Sequence, residues 1–166
     1  MNDKRFLTVM AVFDDQTQNK LGEIQSFFIK NVSVGSQTMG IPFHLTLGSY
    51  PVNELDNVIE QIKSIAQNTV PFDIKLLGYG NFGNRVLFLE PEVTEELILL
   101  RKSFERDYAN GFDWVPHATL FCGADDDVVR AREIAPKLEF PITTRIVGIE
   151  LGEFFPPSKK FSINFN

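Results

Sequence analysis

The sequence is poor in cysteine and in long apolar runs, and each shortage excludes a class of protein. Cys122 is the only cysteine among 166 residues, which rules out an internal disulfide framework and suits a reducing compartment. No apolar run approaches the roughly 18 residues of a membrane span, and Met1 to Arg5 lead into a short apolar strand rather than a signal-peptide core. We therefore expect a soluble, cytoplasmic protein without a membrane contact.

Basic residues are also in short supply. The 16 lysines and arginines are outnumbered by 22 acidic residues, which gives a net charge of −6. Affinity for a nucleic-acid backbone comes mostly from lysine and arginine neutralising phosphates. A long duplex nucleic acid is therefore not expected as a partner, although folding can still gather a few basic groups around one phosphate.

The length of the chain leaves room for one domain. At 166 residues and 43% hydrophobic content, the chain can bury a sizeable core but cannot form two large independent domains. We expect a single domain over residues 1–166 that functions as a monomer.

Histidine is scarce too, and both histidines open the same tetrapeptide, His-x-Thr-Leu. The two copies are residues 44–47 and 117–120. If each copy is a strand, side chains alternate between its faces, so the histidine and the threonine point one way and the leucine points into a core. Each half of the chain then presents an imidazole and a hydroxyl roughly 6.5–7 Å apart on one face. Two such faces brought together would make an acid–base pair.

The sequence around the two motifs repeats in the same order. After each motif come an apolar stripe at helical spacing and two strand-like runs, so strand, helix, strand, strand occurs twice. Asn53 is a candidate cap for the first of these helices, and the acidic run 125–127 for the second. A strand over 6–13, a helix over 16–31 and a helix from Val93 to Tyr108 complete the pattern. We predict an α+β fold, a bilobal sandwich of two pseudo-symmetric units around a central cleft.

The paired motifs resemble those of the two-histidine (2H) phosphoesterase superfamily, in particular its 2′-5′ RNA ligase-like and cyclic-phosphodiesterase branch. The resemblance covers essentially the whole chain. It implies a concave cleft in which His44 and His117 are the acid–base pair and Thr46 and Thr119 hold a phosphate, without a metal or another cofactor. The implied activity is hydrolysis of a 2′,3′-cyclic phosphate or a 2′-5′-linked nucleotide, with RNA ligation as the reverse reaction.

One position departs from the family pattern. Many RNA-acting members carry an arginine just after the second motif, whereas this chain has Phe121. Together with the acidic net charge, this favours a small nucleotide or a short oligonucleotide with a cyclic or 2′-5′ phosphodiester as substrate.

The chemistry follows from the residue types. Imidazole titrates near neutrality, so one histidine can take a proton from water while the other protonates the leaving oxygen. Hydroxyl donors can stabilise the charge that develops on the phosphoryl oxygens. The sequence leaves open which histidine is the acid and which is the base.

Several alternative interpretations stand beside this one. Tyr50 and Phe121 follow the motifs and, if the strands continue, lie near the histidine faces, where a base could stack on them; core packing is the alternative for both, and the one expected for Trp114. The threonines could be simple strand formers. The whole chain could be a non-catalytic nucleotide- or phosphate-binding module, or a metallohydrolase, although zinc sites normally need three protein ligands.

Overall fold

A computed structural model describes residues 5–104, 113–124 and 126–166. Tyr108 and Asp125, which the sequence assigns to a helix and a helix cap, lie outside these ranges. The elements in chain order are β1 (Phe6–Phe13), α1 (Asp15–Val32), β2 (His44–Pro51), α2 (Leu55–Gln67), β3 (Phe72–Phe82), β4 (Val86–Pro91), α3 (Glu95–Lys102), β5 (Ala118–Cys122), α4 (Asp127–Ile134), β6 (Ile142–Phe154) and β7 (Ser158–Asn164). The described helices include none that is long and apolar enough to cross a membrane.

The helices form where apolar side chains recur at helical spacing. In α1, the Asp14 carboxylate caps the first turn by accepting from the Thr17 N–H at 2.8 Å, and Leu21 and Phe28 are fully buried. The predicted cap at Asn53 is wrong, because a 3₁₀ turn over Val52–Glu54 precedes α2 and Glu54 occupies the N-cap position without a side-chain capping bond.

All strands pair antiparallel in one sheet. The order is β2-β1-β6-β3-β4-β5, with β7 added beside β6. The first part of β6 pairs with β3 and its later part lies between β1 and β7. The sheet therefore has two lobes that share one long strand.

The strand order reads as two mirrored halves. β1 lies beside β2 as β4 lies beside β5, and β6 and β3 meet in the middle. The α+β class and the bilobal arrangement predicted from the sequence are confirmed. In space, however, the repeat begins earlier than the motifs: the structural unit is β1-α1-β2-α2-β3, followed by β4-α3-β5-α4-β6.

Both motif strands contain a β-bulge immediately after the threonine. Along β2, Thr46 is opposite Met10 but Gly48 is opposite Val9, so Leu47 is the extra residue. Along β5, Thr119 is opposite Phe88 and Phe121 is opposite Leu87, so Leu120 is the extra residue. A bulge shifts the alternation of side chains by one. The residues after each bulge thus face the side opposite to the one that strict alternation predicts.

Candidate active site

His44 opens β2, and a backbone carbonyl fixes its ring. Its Nδ1 lies 2.6 Å from the carbonyl oxygen of Pro42. A carbonyl can only accept a hydrogen bond, so Nδ1 carries the hydrogen and Nε2 is left to exchange a proton with a substrate.

His117 directly precedes β5 and repeats this arrangement. Its Nδ1 lies 2.7 Å from the carbonyl oxygen of Val115, which again leaves Nε2 for proton exchange. The ring packs against two phenylalanines, with its centroid 4.7 Å from that of Phe82 and 5.3 Å from that of Phe88. An equivalent hydrogen bond thus orients the second histidine, and aromatic contacts pack against its ring.

Three of the four motif side chains line a cavity of about 290 Å³, and His117 is not among its lining residues. His44, Thr46 and Thr119 line it, and His117 lies close enough to His44 for the two rings to interact electrostatically. The other lining residues are Phe6, Thr8, Gln25, Gln37, Thr38, Ile41, Pro42, Phe43, Cys122, Phe154 and Phe155. The structure therefore brings both halves of the repeat to one place, as the paired motifs predict.

Burial controls the protonation of His44. Removal of the ring from water lowers its pKa below the ordinary value, and the positive charge that His117 can carry lowers this pKa further. The hydrogen bond to Pro42 opposes the shift but does not reverse it. His44 is therefore neutral at physiological pH, with a free lone pair on Nε2.

The prediction that Tyr50 and Phe121 lie on the histidine face is wrong. Tyr50 is 1% exposed and its hydroxyl donates to the Phe104 carbonyl at 3.1 Å, while Phe121 is 0% exposed and its ring lies 5.3 Å from that of Phe28. The bulge after each threonine turns these two side chains into the core, which is the alternative placement considered for both.

The aromatic wall of the cavity comes instead from residues that the sequence analysis missed. Phe6 is opposite Phe154 in the β1–β6 pair, and their ring centroids are 6.0 Å apart. Phe155 packs edge-on against Phe154 and is 64% exposed. The Phe154-Phe155 pair is visible in the sequence, but only the β1–β6 register shows that it faces the motifs.

Charged side chains are absent from the cavity lining within the described ranges. The Lys159-Lys160 pair forms ion pairs elsewhere: Lys160 with Glu153 at 2.8 Å and Lys159 with Glu150 at 3.6 Å. Residues 5–104, 113–124 and 126–166 also contain no cluster of three His, Cys, Asp or Glu side chains able to hold a metal ion. An anion in the cavity would meet imidazole, hydroxyl and amide groups.

Comparisons with known proteins identify the family and several relatives of this chain. Residues 13–154 match the 2′-5′ RNA ligase superfamily. A Bacillus cytotoxicus protein named "Putative phosphoesterase" is 30% identical over 92 residues, which are 48% of this chain and 51% of the relative. The chain thus spans about half the length of the curated relatives it matches.

Two solved structures share the fold over nearly the full length. Escherichia coli LigT in complex with 3′-AMP aligns with a TM-score of 0.68 at 14% identity and covers 98% of both chains. TT0787 of Thermus thermophilus aligns with a TM-score of 0.60 at 19% identity and covers 96% of this chain and 97% of that one. Other LigT structures hold ATP, NADP⁺ or phosphate.

The fold and the paired motifs agree with the resemblance to the two-histidine phosphoesterase superfamily. The chain belongs to the 2′-5′ RNA ligase superfamily.

Proposed function

We propose that this protein is a metal-independent phosphodiesterase that hydrolyses a 2′,3′-cyclic phosphate or a 2′-5′-linked nucleotide. One observation carries the proposal: a histidine and two threonines from both motifs line one cavity, and the second histidine interacts electrostatically with the first. Both rings are oriented through Nδ1, so both Nε2 atoms are available for proton transfer.

The lowered pKa of His44 supports its role as the base in the hydrolytic direction. His44 is held neutral, so its Nε2 takes a proton from the attacking water as a new bond forms between the water oxygen and phosphorus. His117 gives a proton to the ribose oxygen as its bond to phosphorus breaks. Thr46 and Thr119 donate to the phosphoryl oxygens, where negative charge develops.

The aromatic wall supports a nucleotide as the substrate. Phe154 and Phe155 present apolar rings to the same cavity as the motif threonines. Stacking on aromatic side chains is tolerant of base identity because every base has a π-face. LigT, which has this fold, binds 3′-AMP.

The test is turnover of 2′,3′-cyclic mononucleotides and a 2′-5′-linked dinucleotide in excess EDTA, with 3′,5′-cyclic nucleotides for comparison. We expect hydrolysis that chelation leaves intact. Binding without turnover would identify a non-catalytic nucleotide-binding module. Activity that chelation abolishes and a divalent metal restores would identify a metallohydrolase.

A further inference from the structure

The carbonyl of the extra residue in each bulge accepts a hydrogen bond from a helix of the other structural unit. The Leu120 carbonyl of β5 accepts from Gln25 Nε2 at 2.7 Å, and Gln25 lies on α1 of the first unit. The Leu47 carbonyl of β2 accepts from the guanidinium of Arg101, which lies on α3 of the second unit. A helix of each unit therefore binds the motif strand of the other unit.

Trp114 adds a direct link between the two motifs. Its Nε1–H donates to the carbonyl of Thr46 at 3.0 Å, while its ring centroid lies 5.4 Å from the Arg101 guanidinium carbon. Trp114 precedes His117 by three residues, in the segment whose Val115 carbonyl orients the His117 ring. One hydrogen bond thus joins the backbone of the first motif to the segment that carries the second histidine.

Arg101 is committed to this link. Its Nε is buried and has no hydrogen-bond partner among the described residues, and within these residues the Leu47 carbonyl and the Trp114 ring contact the guanidinium. A buried donor that stays unpaired costs free energy. We therefore infer that the two contacts, and not the hydrogen bonding of Nε, set the position of the Arg101 side chain.

We propose that Trp114 and Arg101 are positioning residues that set the separation of His44 and His117. β2 and β5 are the two ends of the strand path, with β1, β6, β3 and β4 between them. Along the sheet, four strands separate the two motif strands, so a contact that bypasses these strands constrains the distance between the two rings more directly. Misplacement of a reacting group by about 1 Å can cost about 10²-fold in rate, so a short link has a large effect on catalysis.

The first test is Trp114→Phe, which keeps an aromatic ring beside Arg101 and removes the donor to Thr46. The activity readout rests on the proposed function. We expect kcat to fall about 10- to 100-fold with KM changed less than about 3-fold, because binding contacts are kept and geometry is lost.

Tyr79→Phe is the matched control, since it removes a hydroxyl that donates to the Pro136 carbonyl at 2.9 Å, away from the cavity. If Tyr79→Phe loses as much thermal stability as Trp114→Phe but keeps its kcat, the lower kcat of Trp114→Phe is due to positioning and not to general destabilisation. Unchanged kcat in Trp114→Phe would overturn the proposal.

A second readout does not depend on activity. His117→Gln should raise the pKa of His44, because it removes the neighbouring charge. His44 and Cys122 are the two titratable side chains among the described residues that line the cavity. NMR titration should show a smaller rise in the Trp114→Phe background, where the two rings are further apart. An equal rise in both backgrounds would refute the link, even if the wild type hydrolyses none of the proposed substrates. If Trp114→Phe does not fold, Arg101→Met replaces it with the same expected directions.

Discussion

At the scale of single residues, the two histidines share a local hydrogen bond but differ in their surroundings. Both donate from Nδ1 to the carbonyl two residues earlier, whereas the ring of His117 alone packs against Phe82 and Phe88. Burial keeps His44 neutral. A duplicated motif thus places two groups of the same type in different surroundings.

Replacement of either histidine should abolish most of the activity. We expect His44→Ala and His117→Ala each to lower kcat for a 2′,3′-cyclic nucleotide by at least about 10²-fold, because each removes one proton-transfer partner. The double variant should be little worse than either single one, since the two residues act as a unit. Single-turnover kinetics checks this, and near wild-type kcat in a single variant would contradict the paired mechanism.

The lowered pKa of His44 predicts how the rate depends on pH. The acid limb of kcat/KM should lie below pH 6.5, because His44 must lose its proton to act as a base and its pKa is depressed. The two limbs of the profile belong to the coupled pair rather than to either ring alone. An acid limb above pH 6.5 would argue against His44 as the base.

The same shift predicts a pH dependence of stability. Below the ordinary pKa of 6.5, the unfolded chain protonates this histidine while the folded protein does not, so the free energy of unfolding falls as pH decreases from 6.5 toward the folded pKa. Above pH 6.5 the contribution of His44 is constant. Urea unfolding of wild type and His44→Gln at about pH 7.5 and about pH 5.5 measures the difference. Equal pH dependence in both proteins would show that His44 is not desolvated.

At the scale of elements, the bulges determine which side chains reach the cavity. Thr46 and Thr119 face it, and Leu47 and Leu120 shift the register immediately afterwards. Gly48 follows the first bulge at a place with no room for a side chain: an added Cβ would lie 2.7 Å from the Phe104 carbonyl oxygen. The first bulge is therefore packed directly against another backbone segment.

Gly48→Ala should disturb the first motif strand. We expect a loss of about 1–3 kcal/mol in the free energy of unfolding, because backbone must move to admit the methyl group, and a fall in kcat of about 10-fold or more as Thr46 shifts. Gly22→Ala in α1 is the matched control. An added Cβ at Gly22 meets nothing within 4 Å, so this change should stabilise the protein by about 0.5–1 kcal/mol. Equal urea midpoints for the two variants would contradict this account.

The elements themselves were predictable, but the register shifts were not. The strand over Phe6–Phe13 and the helix now observed over Asp15–Val32 follow from apolar periodicity, a local signal. A bulge depends on which residues lie opposite in a neighbouring strand, and nothing within His-x-Thr-Leu marks the leucine as the extra residue. The errors at Tyr50 and Phe121 have this origin. The same limit hid the link from Trp114, which was expected only to pack in the core, to Thr46.

At the scale of the whole molecule, the acidic net charge and the absence of Lys, Arg, Asp and Glu from the described cavity lining predict short substrates. The net charge is −6, and imidazole, hydroxyl and amide groups stand where a polyanion would need lysine or arginine. We expect kcat/KM for a cyclic mono- or dinucleotide to equal or exceed that for a longer RNA with the same end. Binding of a roughly 15-nucleotide RNA should weaken only slightly between about 50 and 200 mM salt. Tighter binding of this RNA with a steep salt slope would reveal a basic groove.

The mirrored strand order also has a consequence for how the protein folds. β1 lies between β2 and β6, so one of its two ladders requires residues 146–154, far along the chain from Phe6–Phe13. Pairings between distant segments slow folding, because the entropy cost of loop closure arises before the contacts form. During synthesis, β1 can pair with β2 well before β6 exists. Until then its other edge is exposed, and an unpaired edge is where strands of separate chains associate. The first lobe is thus complete only when the later part of β6 has formed its ladder with β1.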